Sequence, residues 1–348
     1  MPPHPRGGRA TIDDVAQLAG ASKASVSKVI RRATYGVSDE MRERVESAIA
    51  ELGYRPQIAA RAMRGQTYTL GVLLPDIANP FFPIIIDGII RHLEESPYTF
   101  MVSPASGDPQ VQMQRTASMI DHQMDGLILV APTIREDHLV SIAEQIPVVM
   151  IGRHGRSTGY DSVVGDDAAG ARLVVDHLVG LGHRRIAHIT HRDPPQAGGV
   201  TPPAIRASNY REAMSDHGLA DEIDVVTGSF SEMGGYQGAR ELLSREQPPT
   251  AIFAGADVAA FGVFRAAHEF GLRIPHDLAL AGYDDTSVAA LAPISLTTVD
   301  QSGPLLGSEA ARLLLERIAG RTTAVHLLLQ PRLVIRASTA PPHAAPVG

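Results

Sequence analysis

Cysteine is absent from the 348 residues, which excludes disulfides, thiolate metal sites and a cysteine nucleophile. No apolar stretch approaches the length of a membrane span. The opening MPPHPRGGRA is polar and Pro/Gly-rich with no apolar run behind it, unlike a secretory signal. A soluble, cytoplasmic protein without membrane attachment is expected. Signatures of catalysis are missing as well. There is no G-x-S-x-G nucleophile elbow, and Gly234, Gly235 and Gly238 do not form the G-x-G-x-x-G turn of a dinucleotide site. His183, His188 and His191 in GHRRIAHITH lack a metal-ligand spacing. No catalytic residue, metal or cofactor is expected.

Lysine is nearly absent too. Lys23 and Lys28, in SKASVSKVIRR, are the only two in the chain, and every other basic side chain is Arg or His. Charge is unevenly spread around them. Residues 1–65 carry 11 Lys and Arg against 7 Asp and Glu, whereas residues 66–348 carry 20 against 31, for a net charge of −7 overall. A small basic head on a large acidic body points to a nucleic-acid partner for the head alone.

Within that head, Thr11 followed by Asp14 forms a capping-box-like start to a short helix with apolar Ile12, Val15, Ala16 and Leu18, closed by Gly20. Ser22 caps a second helix, in which Val26, Val29 and Ile30 share one face and Lys23, Ser27, Lys28 and Arg31 the opposite one. Two short helices joined by a tight turn, the second presenting cations and hydroxyls, is the helix-turn-helix arrangement that enters a major groove. Lysine reaches guanine acceptors or phosphates, Ser25 and Ser27 suit phosphate oxygens, and Ala24 is small enough for close approach or contact with a thymine methyl. A third helix, capped by Ser38, offers Val45, Ala48, Ile49 and Leu52 as cover for the first two. A merely solvated amphipathic helix is the bland alternative for the second one.

The run TIDDVAQLAGASKASVSKVIRR, continued by VSDEMRERVESAIAELGYRPQIAARAMRG, closely resembles the DNA-binding headpiece of the lactose/galactose-repressor (LacI/GalR-type) family. The resemblance implies base reading by Lys23, Ala24 and Lys28, with Thr11, Ser22, Ser25, Ser27 and Arg31 as further candidate DNA contacts. Lys28 stands where the family usually has Arg, and Arg31 where it has Asn. The segment PQIAARAMRG resembles the family's hinge helix, in which Ala60 and Met63 would face the minor groove, with Met in place of the usual Leu as an apolar wedge.

From residue 70 the chain alternates apolar runs with helical stretches. LGVLLP, TFMVSP, GLILVAP, PVVMIG, IAHIT, DVVTG, AIFAGA and LALAGYDD read as buried strands, and repeated βα units imply parallel sheets covered on both faces. About 280 residues is generous for one such sheet, so two lobes are expected. Ligands of open α/β sheets bind at carboxyl ends of strands, where Asp76, Asn79, Thr133, Arg153, Asp166, Asp257 and Asp284 stand. The body resembles the periplasmic-binding-protein-like effector domain of the same family. That resemblance implies ring stacking by Phe81 and Phe82, polar contacts from Asp166 and Arg206, an aromatic wall at Phe230 and a ligand clamp at Asp284. A carboxylate and a guanidinium suit paired hydrogen bonds to vicinal polar atoms. Ala256, Asp167 and Asn209 depart from the family's usual Asn, Asn and Gly. The Pro/Gly-rich HRDPPQAGGVTPPAI is somewhat long and leads to Arg206.

The expected organisation is an all-α helix-turn-helix headpiece with a hinge helix, then a two-lobed α/β periplasmic-binding-protein-like effector domain. Boundaries fall at 1–10 for a disordered arm, 11–56 for the headpiece and 57–66 for the hinge or linker. Residues 67–338 form the effector and dimerisation domain, and 339–348 a disordered tail without heptads. The N-lobe takes about 67–164 and 300–325, the C-lobe about 165–299 and 326–338. The resemblance implies a nucleoid-associated regulator, a repressor by expectation, that binds operator DNA as a homodimer under control of a sugar or sugar derivative. A purine, nucleoside or protein signal, or a solute-binding protein without a regulatory role, remain alternatives. Lys28→Ala is expected to cost about 1–3 kcal/mol of operator affinity and to relax preference at one base position. Titration of duplexes substituted position by position checks this, and uniform weakening with a shallower salt slope would make Lys28 a phosphate contact instead.

Overall fold

The computed structural model describes residues 10–30, 36–54, 66–155 and 157–343, and the chain divides into two compact units after Thr67. In the first unit, helix α1 (Ile12–Ala19) opens with a complete capping box. The Asp14 amide donates to Thr11 Oγ1 at 3.4 Å, and the Thr11 amide to Asp14 Oδ2 at 2.8 Å. Gly20, in the left-handed region at φ 59°, ends the helix. Helix α2 (Lys23–Ile30) starts where Ser22 Oγ accepts the Ser25 amide at 3.0 Å, and α3 (Asp39–Leu52) where Ser38 Oγ accepts the Met41 amide at 3.3 Å. Val15, Ala16, Ala19, Val26, Val29, Val45 and Ala48 form their shared core, with Ile49 and Leu52 packed against it.

Two expectations for this unit are corrected. Leu18 is 41% exposed, because Ile12, Val15, Ala16 and Ala19 make the i, i+3, i+4, i+7 stripe and Leu18 falls off its edge. Ser27 is only 7% exposed, so it does not share the outward face with Lys23: it flanks the Val26–Ile30 stripe, and its short side chain is covered. The expected hinge helix with Ala60 and Met63, and Arg31 as well, lie outside the described residues.

The second unit holds two parallel sheets. The first contains β1 (Thr69–Leu74), β2 (Thr99–Pro104), β3 (Gly126–Val130), β4 (Val148–Ile151), β5 (Asp161–Gly165) and β11 (His326–Leu329), in the order β11-β5-β4-β3-β1-β2. Helices α4 (Phe81–Leu93), α5 (Pro109–Asp121) and α6 (Glu136–Gln145) follow β1, β2 and β3. The second sheet contains β6 (Ile186–His191), β7 (Asp224–Gly228), β8 (Ala251–Ala254) and β9 (Ala279–Ala281), in the order β7-β6-β8-β9. Helix α7 (Asp167–Gly180) precedes it, and α8 (Pro202–Asp216), α9 (Glu232–Leu243) and α10 (Asp257–Glu269) connect its strands. All eight apolar runs singled out in the sequence are strands, but β2, at the edge of its sheet, is not buried, with Met101 51% and Val102 40% exposed.

The chain then returns to the first sheet. After β10 (Thr298–Asp300), helix α11 (Gly303–Ile318) packs on α4 and leads into β11, and β12 (Arg332–Val334) pairs antiparallel with β10. The expected lobe boundaries are therefore corrected. Residues 326–329 belong to the first sheet, where β11 runs beside β5 in register from His326↔Ser162 to Leu329↔Gly165, with Leu327 and Leu329 against its core. Thr339 and Ala340 are likewise no disordered tail: His177 Nε2 meets Thr339 Oγ1 at 2.9 Å, and His183 Nε2 meets the Ala340 carbonyl at 2.9 Å.

Close backbone approach seats α4. A Cβ at Gly307 of α11 would lie 2.0 Å from the Ile85 carbonyl oxygen, and one at Gly88 of α4 would lie 2.0 Å from that of Pro304. Only glycine lets these helices meet so closely, and the contact fixes the end of α4 that carries Phe81 and Phe82.

Candidate functional site

A cavity of about 380 Å³ opens at the carboxyl ends of both sheets. Its first-sheet side is set by a chain of turns. Asp76 Oδ1 accepts the amides of Ala78 and Asn79, and Asn79 Oδ1 accepts the Phe81 amide at 2.9 Å, so the residues after β1 aim Phe81 and Phe82 into the cavity. Thr133 lines it too, with its hydroxyl donating to the Gly107 carbonyl at 3.0 Å. Phe230, after β7, supplies an aromatic surface from the other sheet.

The polar heart of the cavity is Arg206 on α8, 3% exposed. Its Nε donates to Asp167 Oδ1 at 2.7 Å, Nη1 to the Gly255 carbonyl at 2.7 Å and Nη2 to Gln301 Oε1 at 3.5 Å. The guanidinium carbon lies 3.6 Å from the Tyr283 ring centroid and 5.9 Å from that of Phe230. Three of its five N–H groups are used among the described residues. Burial works to raise the Asp167 pKa, but the Arg206 charge and His154 Nε2, 2.7 Å from Oδ2, outweigh it and hold the carboxyl below its ordinary value. Burial works against the Arg206 charge as well, and Asp167 more than compensates, so the guanidinium stays charged.

Asp284 behaves differently. Burial pushes its carboxyl well above the ordinary range, the Arg206 charge opposes this, and the nearby Asp257 adds to it. Its Oδ1 accepts from Gln301 Nε2 at 2.7 Å, and its backbone sits at φ 121°, a region that L residues rarely adopt. Such strain costs about 1–3 kcal/mol and persists where surrounding contacts enforce it, here the bond from the Asp284 amide to the Val299 carbonyl at 2.8 Å. Asp284 and Arg206 thus meet through Gln301 as one polar cluster, with aromatic rings around it.

Of the residues expected at the ligand site, Phe81, Phe82, Thr133, Arg206, Phe230 and Asp284 line the cavity. Arg153, Asp166 and Asp257 do not. Arg153 is 2% exposed and spends its guanidinium on Glu136 Oε2 at 3.1 Å and the Pro132 carbonyl at 3.2 Å. Asp166 turns back to cap α7, accepting the Ala169 amide at 2.9 Å. Asp257 is buried beneath the site, holding the Thr286 amide at 2.8 Å and the Thr298 hydroxyl at 2.6 Å, and burial raises its pKa to about 6 against those bonds. The sequence reading missed Asp167, His191, Asp193 and Gln301. Asp167 had a signal: where Asp166 caps a helix, the adjacent acid is the one free to project. His183 and His188 are structural, the first tied to Thr250 Oγ1 at 2.9 Å and the second stacked on Phe253 at 4.5 Å.

In the other unit, Ser22, Lys23 and Ala24 are exposed at the start of α2, and Ser25 and Lys28 are half-buried. Lys23 Nζ lies 2.5 Å from Asp13. Lys28 Nζ lies over Gly36, 2.7 Å from where a Cβ would stand. Thr11 and Ser22 hold helix starts together, so their hydroxyls already serve the fold.

Residues 11–57 match a family described as bacterial regulatory proteins, lacI family, and residues 175–339 match a periplasmic binding protein-like domain. The ribose operon repressor of Escherichia coli K12 is 34% identical over 335 residues, covering 94% of this chain and 99% of that protein. Among solved structures, the lac repressor dimer bound to operator and the anti-inducer ONPF aligns over 96% of this chain and all of that one, with a TM-score of 0.80 at 28% identity. A LacI family transcriptional regulator from Enterococcus faecium with bound ribose aligns over 78% of this chain and 99% of its own, with a TM-score of 0.70 at 30% identity.

Asp167→Asn is expected to destabilise the second unit by about 3–5 kcal/mol, since it leaves a buried guanidinium without its counter-charge. Because the Asp167 pKa is lowered by folding, its contribution is complete above the ordinary carboxylate range and is lost as pH falls through the folded value. Urea unfolding should therefore show a gap between parent and variant that is widest at neutral pH and closes in acid.

Proposed function

The chain belongs to the lacI family of bacterial regulatory proteins, and from that footing we propose that it is an operator-binding repressor whose DNA affinity is set by a monosaccharide held in the cleft around Arg206. It acts by binding, not catalysis, in the cytoplasm. One observation carries the proposal: a buried guanidinium and a carboxyl at Asp284 line one cavity with Phe81, Phe82 and Phe230. That set matches a ring with polar edges and an apolar face. The cavity stands toward the lower end of the usual range of about 300–1,000 Å³, which favours one sugar ring over two. The ribose operon repressor and the ribose-bound regulator point the same way.

On the DNA side, α2 enters the major groove of each half-site, with Lys23 and Ala24 exposed at its start and Lys28 half-buried in its last turn, and a homodimer matches a two-fold operator. In this reading residues 57–66 form the hinge or linker, whose Ala60 and Met63 lie outside the described residues. A sugar shifts operator affinity only by binding one arrangement of the lobes better than the other.

Thermal unfolding against a panel of aldoses, ketoses, polyols and nucleosides tests the proposal. A monosaccharide at about 100 times its dissociation constant should add about 2.7 kcal/mol of stability. That shift should vanish in Arg206→Ala and in Asp284→Ala. A shift retained in both variants, or given only by nucleosides, would contradict the sugar cleft.

A further inference from the structure

The loop between β6 and α8, RDPPQAGGVT, delivers a carboxylate to the cleft that the reading above leaves unused. Asp193 lines the cavity, and its Oδ2 accepts the hydroxyl of Thr201, which is itself buried immediately before α8. The loop is tied down again where the His154 amide donates to the Val200 carbonyl at 2.8 Å. Asp193 is thus held in place at the cavity wall.

The charges around it are lopsided. Asp76, Asp167, Asp193 and Asp284 line the cavity, against Arg206, which already serves Asp167. His191 lines it as well, and burial lowers its pKa, which favours the uncharged imidazole. No lysine exists anywhere after residue 28. Burial raises the Asp193 pKa, while the Thr201 hydroxyl and His191 oppose that rise, and against the ionised carboxylate at the cavity wall a second negative charge meets like-charge repulsion.

Helix N-termini are the usual alternative to cations for holding phosphate. Three helices at this cavity each have one of those amides already engaged by a side chain. Asn79 takes the first amide of α4, Asp166 one of α7 and Ser231 one of α9. Helix α8 opens with Pro202 and Pro203, which have no N–H to give.

We propose that Asp193 is a charge filter: the cleft takes an uncharged sugar and turns away its phosphate ester. The protein then senses the sugar on the substrate side of a kinase-type phosphoryl transfer, upstream of the phosphorylated product. This rests on the monosaccharide reading of the same cleft.

Titration calorimetry on the full chain with D-ribose, D-glucose and D-fructose, each beside its 5- or 6-phosphate, tests it. A free sugar should bind, with its ester weaker by about tenfold or more. Asp193→Asn keeps an oxygen for the Thr201 hydroxyl, and it should narrow that gap by about tenfold. An ester that binds as well as the free sugar overturns the filter and leaves the sugar cleft standing. An unchanged gap in Asp193→Asn removes Asp193 from the role. No binding by any free sugar defeats the monosaccharide reading itself, and the filter with it.

Discussion

A guanidinium cannot be buried alone, and the second unit is organised around that constraint at Arg206. Its partners come from separate parts of the chain: Asp167 at the start of α7, the Gly255 carbonyl after β8, the Tyr283 ring after β9 and Gln301 after β10. Each joins a different strand end or helix start to α8. Gly170 belongs to the same arrangement, because a Cβ there would stand 2.1 Å from the Tyr283 hydroxyl that lies beneath Arg206. The Arg206 side of the cleft is therefore held in place by the chain's own contacts, which lowers the ordering cost of binding.

The acids around this cation divide into two kinds. Asp167 is held ionised by Arg206 and His154, and it neutralises the guanidinium. Burial raises the carboxyls of Asp284, Asp257 and Asp193, the last against its Thr201 hydrogen bond and His191. A ligand entering this space meets directed hydrogen-bond partners and little tolerance for a further negative charge. Such a site distinguishes molecules by where their hydroxyls point and by whether they are ionised.

Much of this was legible in sequence, for identifiable reasons. Capping residues and apolar periodicity are local, so Thr11, Ser22 and Ser38 and all eight singled-out strands stand where the pattern put them. Arg206, Phe230 and Asp284 follow from family resemblance and the geometry of strand ends. What failed depends on direction and on contacts distant in sequence. Asp166 and Asp167 are neighbours of the same type, and only the turn into α7 decides which one faces the cleft. Arg153 and Asp257 stand at strand ends but are consumed by Glu136 and by Thr286 and Thr298. The short runs of β10, β11 and β12 carry little pattern, so the return of residues 326–329 to the first sheet was invisible before the pairing with β5.

The central claim is that occupancy of the Arg206 cleft and operator binding are linked, and linkage is reciprocal. The most direct measurement is the dissociation constant of the bound monosaccharide for the full chain, free and saturated with operator duplex. The account predicts two different constants, in the same ratio as the operator constants measured with and without the sugar. Equal affinity of the sugar for free and operator-bound protein would contradict it.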